Sequence, residues 1–167
     1  MMAMETPADS KVSKTFYRSE AGVLEITGTD EGVLSVNFLK PPGRFPRDSA
    51  VPSALKECVQ QLDEYFRGER TTFSLKLILK GTEFQKKVWR RLLEIPFGET
   101  VSYKTVAEDI GHPKAVRAVG SANGQNNISI IIPCHRVIGH NGKLVGYGGG
   151  LWRKEWLLQH EQRVRHS

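Results

Sequence analysis

One apolar run constrains this chain more than any other segment, because it has to be buried and yet carries three reactive or charged side chains together. The run reads Ile130-Ile131-Ile132-Pro133-Cys134-His135-Arg136-Val137-Ile138. Branched apolar residues in this density are typical of an interior strand. A thiol beside a base and a cation has surroundings that favour the thiolate, which is the nucleophilic form of cysteine. The run therefore predicts a buried strand that presents Cys134 as a nucleophile.

The cysteine content and hydropathy limit where such a chain works. Cys58 and Cys134 are its only cysteines, which are too few for a disulfide framework or a four-cysteine zinc site. The histidines show no paired ligand spacing. There is no run of about 18 apolar residues, and the first fifteen residues lack the apolar stretch of a signal peptide. We expect a soluble protein without membrane span, metal or cofactor, in the cytoplasm, or in the nucleus if the source is eukaryotic.

Residues 1–81 are expected to form a small α/β unit. Apolar and β-branched residues predict strands at 23–27 and 33–38, and the polar cluster at 29–32 predicts a hairpin turn between them. A loop is expected at Pro41-Pro42-Gly43. From Ser53 the apolar spacing indicates a helix that ends at Gly68. Its buried face includes Cys58 as an ordinary core residue, and alternation at Phe73, Leu75, Leu77 and Leu79 predicts a further strand.

Residues 82–167 are expected to be mainly helical. Thr82 and Gln85 have the spacing of a capping box, and Phe84, Val88 and Leu92 give the first helix its buried face. Further signals predict a helix-turn-helix: a cap at Ser102, a helix through Ile110, a turn at Gly111, and a second helix over Lys114 to Asn123 with Pro113 in its first turn.

The second of these helices has an unusual composition for a helix that recognises a specific base sequence. Most of its side chains are small, and Arg117 is its one long cation after Lys114. Small side chains permit close approach to a nucleic-acid groove, where one arginine can enter the base stack. The charge distribution agrees, because residues 82–167 carry thirteen Lys and Arg against seven Asp and Glu, while residues 1–81 carry eleven of each. A plain solvated basic surface, and tight helix packing by the small residues, remain equally open at this point.

Several ordered motifs in the second half resemble the O6-alkylguanine-DNA alkyltransferases, which repair alkylated guanine. The match is dense over roughly 80 residues, which is a specific signal. The first half is similar only in its order of strands and helix, and the resemblance implies that it is a ribonuclease-H-like α/β unit. The matching segments are Gly98-Glu99-Thr100-Val101-Ser102-Tyr103, Arg117-Ala118-Val119-Gly120, Pro133-Cys134-His135-Arg136-Val137-Ile138, Gly146-Tyr147-Gly148-Gly149-Gly150 and Lys154-Glu155-Trp156-Leu157-Leu158 with Glu161.

The resemblance implies a single-turnover methyltransferase with five catalytic residues. Cys134 would accept the alkyl group from guanine O6, with His135 acting as base through a water and Glu161 orienting the imidazole. Tyr103 would donate a proton toward guanine N3. Asn126 would hydrogen-bond the active-site turn. The thioether product has no good leaving group, so each molecule would repair one lesion.

The resemblance also implies how the lesion is held. The partner would be double-stranded DNA containing O6-alkylguanine, with O4-alkylthymine left open as a second lesion, and the free protein would be a monomer. Arg117 would fill the stack after the nucleotide is rotated out. Tyr147, the N–H of Gly148 and the carbonyls of Cys134 and Val137 would line the guanine pocket. Further contacts to DNA or substrate are expected from Ser102, Ala118, Gly120 and Asn123.

Two other functions compete with this one. Alkyltransferase-like proteins bind the same lesions without repairing them and lack the cysteine, so Cys134 argues against that class. A cysteine hydrolase built on Cys134, His135 and Glu161 would need an oxyanion hole and would turn over repeatedly.

Overall fold

The computed structural model describes residues 11–40 and 50–167. The chain divides into two compact units, Met1–Lys80 and Gly81–Ser167. The loop expected at Pro41-Pro42-Gly43 lies outside the described residues. None of the helices in the described ranges is long and apolar enough to cross a membrane.

The first unit contains a three-stranded antiparallel sheet with strand order β1-β2-β3. Its strands are β1 (Ser13–Ser19), β2 (Gly22–Thr29) and β3 (Gly32–Phe38). The two predicted strands and their hairpin are confirmed as β2 and β3. The prediction missed β1, whose residues are mostly polar and of which Thr15 alone is buried. Leu24, Ile26 and Val36 are fully buried in this unit.

The predicted helix of the first unit is confirmed, but the strand after it is not. A short 3-10 turn at Ser53–Leu55 leads into α1 (Lys56–Phe66), and Gly68 follows with a φ of 77°. Where a strand was predicted over 73–79, Leu77 forms only a bridge to Val33. Two backbone hydrogen bonds, to Lys76 and from Ile78, join the segment to β3. The alternating residues remain half-exposed and Ile78 is the buried one, so burial does not follow the apolar alternation.

The second unit begins with α2 (Glu83–Leu92), and its capping box is confirmed. Gln85 N–H donates to the Thr82 hydroxyl over 3.1 Å, and Gln85 Oε1 accepts from the Thr82 N–H over 2.9 Å. Val88 and Leu92 are buried as predicted. The third buried residue of this helix is Trp89 and not Phe84. The Trp89 indole N–H donates to the Ala122 carbonyl over 2.8 Å inside the unit.

The predicted helix-turn-helix consists of α3 (Tyr103–Asp109) and α4 (Val116–Gly124). Ser102 caps α3 by accepting the Thr105 N–H, and Gly111 turns the chain with a φ of 82°. The expected start of the second helix at Lys114 is wrong. Pro113 lies in a turn closed by a 2.9 Å hydrogen bond from Ala115 N–H to the His112 carbonyl, and α4 begins after it.

The strand expected at the apolar run is also wrong. Only Val137–Ile138 forms a strand, β5, which pairs in parallel with β4 (Val101–Ser102). Before it, Cys134–Arg136 is a turn of 3-10 helix. Pro133 has no N–H for a ladder, and Ile130 has a φ of 73° that interrupts any extended run. The run is therefore buried as a folded-back turn instead of an extended strand. The last element is α5 (Leu151–Arg165).

Candidate active site around Cys134

Two tight turns and one asparagine present Cys134. The Ile131 N–H donates to the Ser129 carbonyl across Ile130, and the Cys134 N–H donates to the Ile132 carbonyl across Pro133 over 2.7 Å. Both are three-residue turns, and Pro133 has the φ of −80° and ψ of 63° that are typical of an inverse γ-turn.

Asn126 joins the two turns from inside. Its Nδ2 donates to the Ile132 carbonyl over 2.9 Å, while its Oδ1 accepts from the Ile128 N–H over 2.9 Å. Asn126 is itself buried. The amide therefore fixes the segment that carries the thiol, in agreement with the contact to the active-site turn expected of this residue.

The thiol of Cys134 is buried, and polar groups surround it. Burial raises its pKa, while a hydrogen bond from Asn126 and the positive charge of Lys154 act in the opposite direction. Cys58 differs, because burial raises its pKa to about 12 with nothing to oppose it. Of the two cysteines, Cys134 alone has neighbours that stabilise a thiolate, which is the requirement for a nucleophile.

A buried carboxylate organises the residues that follow Cys134. Glu161 Oε2 is 2.7 Å from His135 Nε2, and Arg136 donates to both oxygens over 2.9 and 3.0 Å. The Gly98 N–H donates to Oε1 over 3.0 Å. Burial alone raises the pKa of Glu161, but His135 and Arg136 outweigh it and hold that pKa far below its usual range. Glu161 is therefore an ionised carboxylate inside the unit.

Helix α5 also fixes the turn that supplies Gly98. Gln162 and Arg165 both donate to the Gly98 carbonyl, over 2.6 and 3.0 Å. Gly98 has a φ of 79°, and a Cβ there would lie 2.8 Å from the Arg165 Cδ. The left-handed φ favours glycine at this position, and the turn lets one peptide contact Glu161 and α5 together.

The contact to Glu161 decides which nitrogen of His135 can act as a base. Burial lowers the pKa of His135, although Glu161 opposes this effect. The ionised carboxylate requires the hydrogen of a neutral imidazole to lie on Nε2. The lone pair is then on Nδ1, which has no hydrogen-bond partner among the described residues. His135 is therefore a neutral base with an open acceptor.

Two more buried polar atoms near the cysteine share this property. Asn123 Oδ1 and Tyr147 Oη make no direct hydrogen bond within the described parts of the chain, although Ser129 lies close enough to Tyr147 to act against the rise in its pKa. The Nδ2 of Asn123 donates to the Cys134 carbonyl over 3.4 Å, and the pKa of Tyr147 is raised by burial and by Cys134. Buried polar atoms are rarely left unpaired. This group of open donors and acceptors is typical of a site that awaits a polar ligand.

Tyr103 begins α3 and lies on another side of the site. Its hydroxyl donates to the Val145 carbonyl over 3.0 Å. The pKa of Tyr103 is raised by burial and by Cys134, so the phenol keeps its proton. It is chemically able to donate that proton to a ligand.

The residues predicted to contact DNA or substrate fall into two groups. Arg117 and Ala118 are exposed on α4, and Gly148 is exposed between β5 and α5. Val137 is fully buried, Asn123 is buried against Cys134, Ser102 is occupied as the cap of α3, and a Cβ on Gly120 would touch the Tyr103 ring at 3.9 Å. The structure thus brings Asn123 and Gly120 to the site, while Arg117 and Ala118 remain on the surface.

Two functional residues escaped the sequence-based prediction. The sequence indicates Arg136 only as a cation beside Cys134. In the structure its guanidinium donates to both carboxylate oxygens of Glu161 and, over 2.7 Å, to the Ile95 carbonyl. Lys154 was part of a matching motif without a role, yet it is fully buried. A lysine or arginine that lies next to apolar residues in a motif indicates such burial, but the sequence does not show which polar group binds the charged side chain. Among the described residues no cluster of three or more His, Cys, Asp or Glu could hold a metal ion.

Comparison with known proteins identifies both halves of the chain. Residues 83–163 match the model of the 6-O-methylguanine DNA methyltransferase, DNA binding domain. Residues 12–79 match the ribonuclease-like domain of the same family. The predicted architecture, a ribonuclease-like α/β unit followed by a mainly helical DNA-binding domain, is confirmed.

Individual relatives are similar over nearly their whole length. The methylated-DNA–protein-cysteine methyltransferase of Methanosarcina acetivorans is 50% identical over 148 residues, which are 87% of this chain and 95% of the relative. The crystal structure of Mycobacterium tuberculosis O6-methylguanine methyltransferase superposes with a TM-score of 0.82 at 46% identity, covering 92% of this chain and 94% of the other. The same organism's protein in complex with DNA gives a TM-score of 0.80 at 46% identity and covers 89% and 92%.

Proposed function

Because the chain belongs to the 6-O-methylguanine DNA methyltransferase family, we propose that it repairs O6-methylguanine in DNA by moving the methyl group to Cys134. One observation carries the assignment of the acceptor. Cys134 is the cysteine that lies beside a neutral histidine with an open nitrogen and a buried carboxylate behind it. In this assignment residues 82–167 bind DNA and accept the alkyl group, and residues 1–81 support them.

The first step is loss of the thiol proton. His135 Nδ1 takes this proton through a water, because Nε2 is held by Glu161. The imidazolium that forms is stabilised by the carboxylate, as in other nucleophile–histidine–acid sets. Arg136 keeps Glu161 ionised throughout, so the proton stays on the ring. Asn126 and Lys154 favour the resulting thiolate.

The second step is a single displacement. The sulfur lone pair forms a bond to the methyl carbon while the bond from that carbon to guanine O6 breaks. The electron pair passes to the guanine ring, and the Tyr103 hydroxyl donates its proton to ring nitrogen N3 as the charge develops. The products are S-methylcysteine at position 134 and a guanine that carries the proton on N3. Exchange with water moves this proton to N1, which gives normal guanine, and the proton held by His135 returns to the Tyr103 oxygen through solvent. Because a thioether does not release its methyl group to water, each molecule acts once.

The pocket for the flipped base is assigned to the open polar atoms near the cysteine. Tyr147 and the Gly148 N–H would line it, and the carbonyls of Cys134 and Val137 would accept the exocyclic amine of guanine. The Cys134 carbonyl already accepts the Val137 N–H and, over 3.4 Å, the Asn123 amide, so the exocyclic amine would take the place of the weak Asn123 contact. The partner is double-stranded DNA containing O6-alkylguanine, bound by a protein that is monomeric without DNA and works in the cytoplasm.

Arg117 is assigned to the space that the flipped nucleotide leaves. It is exposed on α4, where its neighbours Ala118 and Ser121 are small and also exposed. A duplex requires unstacking before the methyl group reaches Cys134, whereas a free base does not. Arg117 therefore matters for duplex substrates alone.

We expect Arg117→Ala to slow repair of O6-methylguanine in duplex DNA by about 100-fold, because unstacking costs a few kcal/mol. Reaction with free O6-benzylguanine should stay within about twofold of the unchanged protein. The matched control is Arg90→Ala, which removes an exposed arginine from α2. Equal losses on duplex and free base would contradict an intercalating role.

Stoichiometry tests the function as a whole. The protein is mixed with excess duplex that carries one O6-methylguanine per molecule, and the number of lesions removed per protein molecule is measured. We expect the count to reach one and stop. A protein that only binds lesions would remove none, and a hydrolase would continue past one.

A further inference from the structure

Asn123 is a buried residue of the site that takes no part in the two steps of the reaction. It lies in the last turn of α4 and is 3% exposed. Its Nδ2 donates to the Cys134 carbonyl over 3.4 Å, which is long for a hydrogen bond, and its Oδ1 has no hydrogen-bond partner among the described residues. A buried acceptor without a donor costs free energy. The open Oδ1 therefore indicates a donor that arrives with the ligand.

The Asn123 amide stands between two groups that the proposed function assigns to the base. One is the Cys134 carbonyl, which it contacts directly. The other is the Tyr103 hydroxyl: burial and Cys134 raise the pKa of Tyr103, and a hydrogen bond with the Asn123 side chain acts in the opposite direction. Tyr103 is assigned to guanine N3, and the Cys134 carbonyl to the amine on the neighbouring ring carbon. Asn123 therefore lies beside the edge of the base that carries N3 and the 2-amino group.

The 2-amino group is the part of this edge that supplies hydrogens. When one of its two N–H groups binds the Cys134 carbonyl, it takes the place of Asn123 Nδ2. A half-turn of the carboxamide about its Cβ–Cγ bond exchanges the positions of Nδ2 and Oδ1 with little change of shape. Oδ1 then faces the amine as an acceptor and shares its second hydrogen with the Val137 carbonyl, a common three-centre arrangement. One side chain thus satisfies the Cys134 carbonyl in the empty pocket and the amine in the filled one.

We propose that Asn123 is a specificity-determining residue: its amide turns as the base enters, and Oδ1 accepts a hydrogen from the 2-amino group of guanine. This inference rests on the function proposed above and names the group of the substrate that Asn123 recognises. It predicts that the pocket favours alkylated purines that carry a 2-amino group, and that Asn123 supplies part of this preference.

A comparison of two lesions in two proteins tests the proposal. The duplexes carry either O6-methylguanine or O6-methylhypoxanthine, which has a hydrogen in place of the 2-amino group. Single-turnover rate constants are measured at subsaturating protein for the unchanged chain and for Asn123→Leu, which keeps the approximate shape of the side chain without its polar atoms. Comparing the proteins cancels any difference in how easily the two bases leave the duplex.

We expect the unchanged chain to react at least about 30-fold faster with O6-methylguanine than with O6-methylhypoxanthine. Asn123→Leu should reduce this preference about tenfold, which corresponds to one hydrogen bond. The loss should fall on O6-methylguanine, while the rate with O6-methylhypoxanthine stays within about threefold of the unchanged chain, because that base has no hydrogen to give to Oδ1.

Two further variants separate recognition from support of the fold. Asn127→Leu makes the same chemical change at an exposed asparagine and should leave the preference unchanged. If Asn123→Leu fails to fold, Asn123→Ala removes the same polar atoms without adding apolar bulk, and the same reduction in preference is expected.

Each outcome has a distinct meaning. Equal losses on both lesions would show a merely structural role and overturn the proposal, as would an unchanged preference. A preference that rises in Asn123→Leu would mean that the amide competes with the amine, which also contradicts it. If the unchanged chain transfers no methyl group from O6-methylguanine to Cys134, the proposed function itself is wrong.

Discussion

We expect Cys134→Ala to abolish methyl transfer and to leave binding to duplex DNA within about twofold of the unchanged protein. The thiol is the atom that forms the new bond, so its removal leaves no acceptor. Binding is retained because Arg117 and the exposed small residues of α4 belong to another part of the second unit. Alanine keeps the Cβ of this side chain, which is 5% exposed. The turn also keeps the hydrogen bonds between its backbone and the Asn126 side chain. Transfer is measured with labelled duplex, and binding by fluorescence anisotropy.

Cys58→Ala is the matched control for this experiment. Cys58 is also buried, at 1% exposure, but it lies on α1 in the first unit. Its removal should lower stability slightly and leave transfer intact. Loss of DNA binding in folded Cys134→Ala, or residual transfer in that variant, would contradict the assignment of the acceptor.

Glu161→Gln is expected to destabilise the second unit and to slow transfer at least tenfold. The carboxylate accepts hydrogen bonds from His135, from Gly98 and twice from Arg136. Glutamine offers one oxygen and two hydrogens, so a buried guanidinium is left without a counter-charge. Breaking a buried pair from one side costs about 3–5 kcal/mol of unfolding free energy. Denaturant unfolding measures this loss.

Glu155→Gln provides the control on the same helix. Glu155 is exposed and accepts a hydrogen bond from Gln159 one turn away. The same chemical change there should alter stability by less than about 0.5 kcal/mol. A similar, small effect at both positions would mean that the buried network does not stabilise the unit.

The pH dependence of stability follows from the same residues. The pKa of His135 is lower in the folded chain than its ordinary 6.5, so the unfolded chain binds that proton first and stability falls as pH falls below about 6.5. The pKa of Glu161 is also lowered, so its contribution is present above 4.5 and is lost as pH falls below that value. The stability difference between the unchanged protein and Glu161→Gln should therefore shrink below about pH 4.5. A difference that stays constant to pH 3 would contradict an ionised Glu161.

Local signals in the sequence predicted much of the fold. The Thr82–Gln85 capping box and the Ser102 cap depend only on residues three apart, so the sequence is enough to place them. The contact between His135 and Glu161 was expected from the resemblance alone, since 26 residues separate them and no periodicity relates the two.

Several of the errors share one physical origin, which is hydrogen bonding between the backbone and polar groups that lie outside the local pattern. Apolar residues at 130–132 suggested a strand, but Asn126 binds the Ile132 carbonyl and the Ile128 N–H and holds the segment in a turn. Phe84 and Trp89 both fit a buried face, and the Trp89 indole N–H has a partner there in the carbonyl of Ala122 on α4. The roles of Arg136 and Lys154 depend in the same way on carbonyls and a carboxylate whose positions are set by the whole unit.

The position of the methyl group after the reaction is the most direct test of the central claim. The protein is incubated with duplex DNA bearing an isotopically labelled O6-methyl group, digested with a protease, and its peptides are analysed by mass spectrometry. We expect the peptide that contains Cys134 to gain one labelled methyl group per protein molecule while the peptide that contains Cys58 stays unchanged. Label on another residue, label in solution, or a lesion lost without label on Cys134 would contradict the assignment.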